Sequence, residues 1–302
     1  MPRYADNGDV RIAYQDLGGV GGEPLLLCMG LGTSRFWWPD GLVDELVRRD
    51  FHVVAYDQRD AGESTHLPDE PVGSPLQSLL RRSAPAYSAE DQTDDAVAVM
   101  DALGWGRAHL FGHSLGGAVA QRTAVRHPGR VRTVTTSSAV PADAKGLRLL
   151  RYVRLETVAG FSRLRFPDSP AGDLALAVAV ARRLGSPRQE LGEWDVRELV
   201  AKEAAHGVSS FRDAKAQSRQ VGAKWNGGSI GRITAPTLVL HGGDDPLLRV
   251  AAARDIAAAV PGAQLRIIPG VGHFLSRETW PVYAAEVRAL ADRAARGSLT
   301  PG

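Results

Sequence analysis

The stretch FGHSLGG, residues 111–117, sets one serine among three glycines directly after the apolar run AHLF and ahead of the helical pattern LGGAVAQRTAV. A G-x-S-x-G segment between strand and helix is a nucleophile elbow: the backbone at Ser114 is strained so that its hydroxyl stands clear, and Gly112 and Gly116 carry no side chain to collide across the turn. The chemistry such a hydroxyl serves is attack on a carbonyl carbon, with the acyl group passing through the serine. A serine hydroxyl is a weak nucleophile by itself, so a histidine must take its proton and a carboxylate must orient that histidine.

An elbow of this kind is followed in chain order by the acid and then the base. VLHGGDDPLL places Asp244 and Asp245 just past a strand end, and IIPGVGHFL places His273 in the loop after the next strand. Asp245, immediately before Pro246, is assigned as the orienting acid, with Asp244 as the alternative. Among the eight histidines, His113 sits inside the elbow, His127 near a helix end and His241 at a strand end, each with a structural explanation, whereas His273 has the order and setting of the base. A tetrahedral oxyanion needs two backbone donors. These are expected from the amide of Leu115, next after the nucleophile, and the amide of Leu31 in CMGLGTSRFWW, where Gly30 and Gly32 allow close approach. Trp37 and Trp38 follow, to line a substrate pocket or to pack at a helix start.

The elements that must position these residues alternate. VRIAYQDLG, PLLLCMG, FHVVAYD, AHLFGH, VRTVTTSS, PTLVLHG and QLRIIPG are short and rich in Val, Leu and Ile and read as buried strands. PDGLVDELVRRD, SAEDQTDDAVAVMDALG, LGGAVAQRTAVRHPG, AARDIAAAVPG and WPVYAAEVRALADRAAR have helical spacing. The alternation predicts an α/β fold with a mostly parallel sheet, helices on both faces, and a ligand site at the carboxyl ends of the strands. The pattern turns wholly helical over 141–232, so the expected division is a core domain of 1–140 and 233–302 carrying a helical cap, 141–232. The irregular stretch 64–88 is long for a strand-to-helix connection and is expected near the pocket mouth.

Within the cap, 16 Lys and Arg stand against 10 Asp and Glu. Arg163 and Arg165, beside Phe161 and Phe166, either attract an acidic substrate or belong to a solvated face. Trp194 and Trp225 either line a bulky ligand or pack in a core. DLALAVAVA packs on the core domain or forms a dimer contact, so the chain is expected as monomer or homodimer.

Composition narrows the class further. The 302 residues are 44% hydrophobic with a net charge of +2, enough for a sizeable core and too balanced to suggest nucleic acid or membrane as partner. The single Cys28 cannot form an intrachain disulfide, no Cys/His spacing resembles a zinc site, and no metal or cofactor is expected. The polar start MPRYADNGDV lacks the apolar stretch of a signal peptide, and cytoplasmic residence is the expectation.

With Ser114, Asp245 and His273 in that order, the chain resembles the α/β-hydrolase superfamily over nearly its whole length, apart from the cap and the 65–87 loop. YDQRDAGES is similar to the superfamily's D-x-R-G-x-G-x-S segment, but with Asp60 where glycine is usual, and Met29 stands where the oxyanion segment usually has histidine. Both departures resemble the branch that contains the aclacinomycin methylesterases. The resemblance implies hydrolysis of a carboxylic ester of a small molecule, without a cofactor. The alternatives are carbon–carbon bond cleavage or cyclisation on the same triad, and a non-catalytic ligand receptor.

Overall fold

A computed structural model describes residues 2–68, 86–188 and 193–297. Most of the irregular stretch 64–88 lies outside the described residues, as does the side chain of Trp194. Eight strands, β1 (Arg3–Asn7), β2 (Val10–Gly18), β3 (Glu23–Cys28), β4 (Phe51–Tyr56), β5 (Ala108–His113), β6 (Val131–Ser137), β7 (Thr237–Gly242) and β8 (Gln264–Ile268), form one sheet in the order β1-β2-β4-β3-β5-β6-β7-β8. The β1–β2 and β2–β4 pairings are antiparallel and the rest are parallel. β5 and β7 are buried along their whole length, which is why they read as continuous apolar runs. β8, at the sheet edge, is only partly buried, so the expectation of a buried strand does not hold there.

Helices α1 (Asp40–Val47) and α9 (Trp280–Gly297) cover one face, where Leu42, Leu46, Tyr283 and Val287 share a core with Leu25, Leu27 and Phe111. On the other face α2 (Ala89–Ala102), α3 (Leu115–Arg126) and α8 (Ala251–Ala259) bury Val99, Met100, Ala120 and Ile256 against Leu26, Leu110 and Val134. Each fully buried Leu or Val contributes about 1.5–3 kcal/mol relative to exposure. The start of α2 is set by a reciprocal capping box between Ser88 and Asp91. Because β4 and β5 lie on opposite sides of β3, the strand order reverses at β3, and the loops leaving β3 and β5 flank a crevice.

Between β6 and β7 the chain adds four helices, α4 (Leu155–Phe161), α5 (Pro170–Leu184), α6 (Glu193–Ala205) and α7 (Ala214–Gly222), and no strand among the described residues. Ser169 caps α5 by accepting the Gly172 N–H, with Pro170 at the first helical position, and Asp213 caps α7 by accepting the Ala216 N–H. Ala177 and Ala181 of α5 pack with Val196 and Leu199 of α6 into the core shared with Leu275. Within DLALAVAVA, Ala177, Val180 and Ala181 are buried, whereas Leu174 and Leu176 are only half-buried. Among the described residues no helix is long and apolar enough to cross a membrane.

Candidate active site

Ser114 follows β5 and caps α3 with φ 54° and ψ −120°, a left-handed backbone that costs a non-glycine residue on the order of 1–3 kcal/mol. Its N–H donates to the Ser137 carbonyl at 2.8 Å, tying the elbow to β6. A Cβ at Gly112 would run into the Gly116 carbonyl, and one at Gly116 into the Cys28 carbonyl of β3. The second glycine therefore serves contact with the neighbouring strand, not only the turn. Leu115 opens α3, so its N–H is among those with no intrahelical acceptor. Across the crevice, a Cβ built on Gly30 would lie 3.8 Å from Ser114 Oγ, which sets the β3 loop against the serine hydroxyl. Among the described residues neither Ser114 Oγ nor the Leu31 N–H has a hydrogen-bond partner.

The loops after β7 and β8 meet backbone to backbone, since a Cβ at Gly242 would strike the carbonyls of Val271 and Gly272. That contact brings His273 Nδ1 to 2.8 Å from Asp245 Oδ2, with both side chains buried. Asp245 Oδ1 accepts the N–H groups of Leu247 and Leu248, each at 2.8 Å. Burial pushes the Asp245 carboxyl upward, but the charge and hydrogen bond of His273, then His241 and the Leu248 N–H, outweigh it and hold it below the usual value. The Asp244 carboxylate turns elsewhere, to Ser186 Oγ at 3.3 Å and Arg188 Nε at 3.5 Å. The inserted helices also touch the His273 backbone: the Leu184 carbonyl at the end of α5 accepts the His273 N–H at 2.7 Å and the Phe274 N–H at 3.2 Å.

The sequence gives His113 and His241 structural places, inside the elbow and at a strand end, but not that both wall this pair. The His113 ring lies 5.1 Å from that of His273, and burial, followed by the His273 charge, brings its imidazole down to about 3. His241 Nε2 lies 3.2 Å from the Leu248 carbonyl and 3.8 Å from Asp245 Oδ2, and burial again lowers it. His109, on the same strand as His113, is pushed down to about 4, mainly by burial. His127 pairs with Asp94 at 2.8 Å at the end of α3. Below the ordinary histidine value of 6.5 the unfolded chain binds protons at these buried sites that the folded chain refuses, so stability falls on acidification. The loss is about 1.4 kcal/mol per pH unit for each such group, until pH reaches its folded value. Thermal melts at about pH 7 and pH 5 are expected to give a lower midpoint at pH 5; an equal or higher one would contradict this account.

Other candidates fall outside the crevice chemistry. Trp37 packs edge-on against Phe211 at 4.9 Å and Trp38 against Phe111 at 5.1 Å, so both indoles serve packing. Arg163 and Arg165 are exposed, and the Arg165 guanidinium turns back to the Ser162 and Leu164 carbonyls. Trp225 is buried in the core beside α3, its Nε1–H donating to the Gly228 carbonyl at 2.7 Å. Among the described residues no group of three or more His, Cys, Asp or Glu is placed to hold a metal ion.

Residues 23–278 match the model of the alpha/beta hydrolase fold, and the chain belongs to that family. Rhodomycin D methylesterase DnrP of Streptomyces peucetius is 27% identical over 96% of this chain and 98% of its own length. A putative carbamate hydrolase, RutD, of Variovorax paradoxus is 30% identical over 96% and 97%. A solved meta-cleavage product hydrolase from Pseudomonas fluorescens superposes with a TM-score of 0.71 at 20% identity, covering 97% of this chain and 98% of that one, and supports the fold alone.

Proposed function

We propose that this chain is a serine hydrolase that cleaves a carboxylic ester of a small molecule through an acyl-enzyme on Ser114. The observation that carries the reading is the buried 2.8 Å contact between Asp245 and His273 Nδ1, which leaves the other ring nitrogen, Nε2, to serve a serine held on a positive-φ elbow. Nε2 takes the Ser114 proton as Oγ attacks the ester carbonyl, the N–H groups of Leu31 and Leu115 hold the oxyanion, and the protonated imidazole gives its proton to the leaving alcohol. Water then repeats the sequence on the acyl-enzyme and releases the acid. The neighbouring His113 and His241 rings, held neutral, leave His273 as the ring that takes the charge. Helices within 141–232 act as a cap over the crevice, contacting the loops of both the base and the oxyanion donors.

The names of the relatives favour attack at a carbonyl bearing an oxygen or nitrogen leaving group, since one is a methylesterase and another a putative carbamate hydrolase. The test is intact-mass analysis after a fluorophosphonate, with peptide mapping of the adduct, beside hydrolysis of a panel of aryl and methyl esters. A single adduct on the peptide containing Ser114, with ester turnover, is expected. Native protein with neither adduct nor turnover would overturn the reading.

A further inference from the structure

The loop that presents Gly30, Leu31 and Gly32 leaves β3, but much of what fixes it comes from the inserted helices. Gln220 of α7 is 1% exposed. Its Oε1 accepts the Gly32 N–H at 2.9 Å and its Nε2 donates to the Arg59 carbonyl at 2.8 Å, so both ends of the amide are committed to backbone. The Gly32 carbonyl accepts the Phe211 N–H at 3.2 Å, from the connection between α6 and α7. One helical turn before Gln220, Gln217 lies over Gly32 so closely that a Cβ there would stand 2.6 Å from its Cγ, and Gly32 itself has φ +63°. The preceding peptide is pinned on its carbonyl side, where Thr33 Oγ1 donates to the Gly30 carbonyl at 3.1 Å.

These contacts bear on the oxyanion donor. The Leu31 N–H shares a peptide plane with the Gly30 carbonyl, and the next plane carries the Gly32 N–H that Gln220 holds. Two successive planes are thereby fixed, and the Leu31 N–H, free of any partner among the described residues, is left with one direction. Neighbouring anchors resist a shift of the same surface: Ser34 Oγ meets Glu203 Oε1 of α6 at 2.5 Å, and Arg219, beside Gln220, grips Asp60.

We propose that Gln220 is a positioning residue for the oxyanion donor Leu31, acting through the Gly32 N–H, so that the inserted helices complete the catalytic geometry as well as cover it. The proposal rests on the ester-hydrolase reading for its kinetic consequence only. Removal of an oxyanion donor costs about 10²–10³ in kcat, and misdirecting one is expected to cost at least about tenfold.

The experiment compares Gln220→Leu with Gln220→Glu, which keeps an acceptor for the Gly32 N–H and, as the protonated acid, a donor for the Arg59 carbonyl. Gln220→Leu is expected to lower kcat per fluorophosphonate-titrated site about tenfold or more with KM within about twofold and an unchanged pH profile. It should also speed hydrogen exchange in a peptide covering 30–36 but not in one covering α3. Gln220→Glu should recover most of kcat and of the protection. Unchanged kcat per titrated site in Gln220→Leu, or equal losses in both variants, overturns the proposal, because a purely structural role would reduce the number of active sites and leave their rate alone. Wild-type protein without turnover overturns the hydrolase reading, and unchanged exchange in Gln220→Leu overturns the anchoring regardless of turnover.

Discussion

Asp245→Asn is expected to lower kcat for ester hydrolysis by about 10⁴, and Ser114→Ala or His273→Ala by about 10⁶, with double variants no worse than the worst single one. Asp244→Asn is expected to keep kcat within about threefold, the range of an ordinary surface substitution with no part in the reaction. The two aspartates are neighbours in sequence and opposite in surroundings. Asp245 Oδ2 receives His273 Nδ1 while Oδ1 takes two backbone N–H groups, so the carboxylate has no freedom left to rotate. Asparagine there would have to keep a carbonyl oxygen on the ring nitrogen and turn its NH₂ toward two N–H donors, or reverse and present NH₂ to the ring. The first loses the Leu247 and Leu248 bonds, and the second selects the tautomer that cannot accept the serine proton through Nε2. Either way the imidazolium formed during attack loses its counter-charge in a buried site. Asp244 faces Ser186 and Arg188, so its loss touches the connection after α5 and not the ring. Steady-state kinetics on one aryl ester, normalised to fluorophosphonate-titrated sites, measures the series. Comparable losses in Asp244→Asn and Asp245→Asn would remove the assignment of the acid.

The parts of this site that were legible in the sequence are those whose geometry is local. G-x-S-x-G after an apolar run implies its own turn, and Ser114 has the positive φ expected of an elbow. The contact between Asp245 and His273 could be anticipated because each lies in the loop that follows a strand of the parallel sheet. What could not be read are contacts between residues distant in sequence, where no period or spacing carries a signal. Gly32 with Gln220, Ser34 with Glu203 and Asp60 with Arg219 are separated by 188, 169 and 159 positions. The neutral wall of His113 and His241 was illegible for a related reason: strand residues such as AHLFGH announce burial, but not which ring each side chain will face. β1 was missed because RYADN has only one buried position, Ala5, and its antiparallel partner β2 supplies the register.

Asp60 shows how a departure from the family pattern acquires a physical meaning once the fold is known, and it leads to the largest effect on stability expected of any substitution considered. Glycine is usual at this position because the backbone there has φ 63°, which costs a side-chain-bearing residue roughly 1–2 kcal/mol. Asp60 is held by the fully buried, two-pronged pair with Arg219, at 2.9 and 2.8 Å, and by the Leu67 N–H at 2.8 Å. Asp60 is the first cause of the raised value of Arg219, acting against burial. Removing one partner leaves an uncompensated buried charge, so Arg219→Met is expected to cost about 3–5 kcal/mol, and Asp60→Gly a similar amount less the relief of backbone strain. At about 2–4 °C per kcal/mol, that is a fall in melting temperature of roughly 6–20 °C. The double variant Asp60→Gly/Arg219→Met removes both charges and the strain together and is expected to recover most of the loss, which is the signature of coupling in a double-mutant cycle. If the two single losses simply add, the pair is not coupled and the helical insertion is held at this corner by packing alone. If they cancel as expected, residual kcat in the double variant then reports whether Gln220, one residue on from Arg219, keeps its place on Gly32 by its own two hydrogen bonds or only with Arg219 anchored beside it.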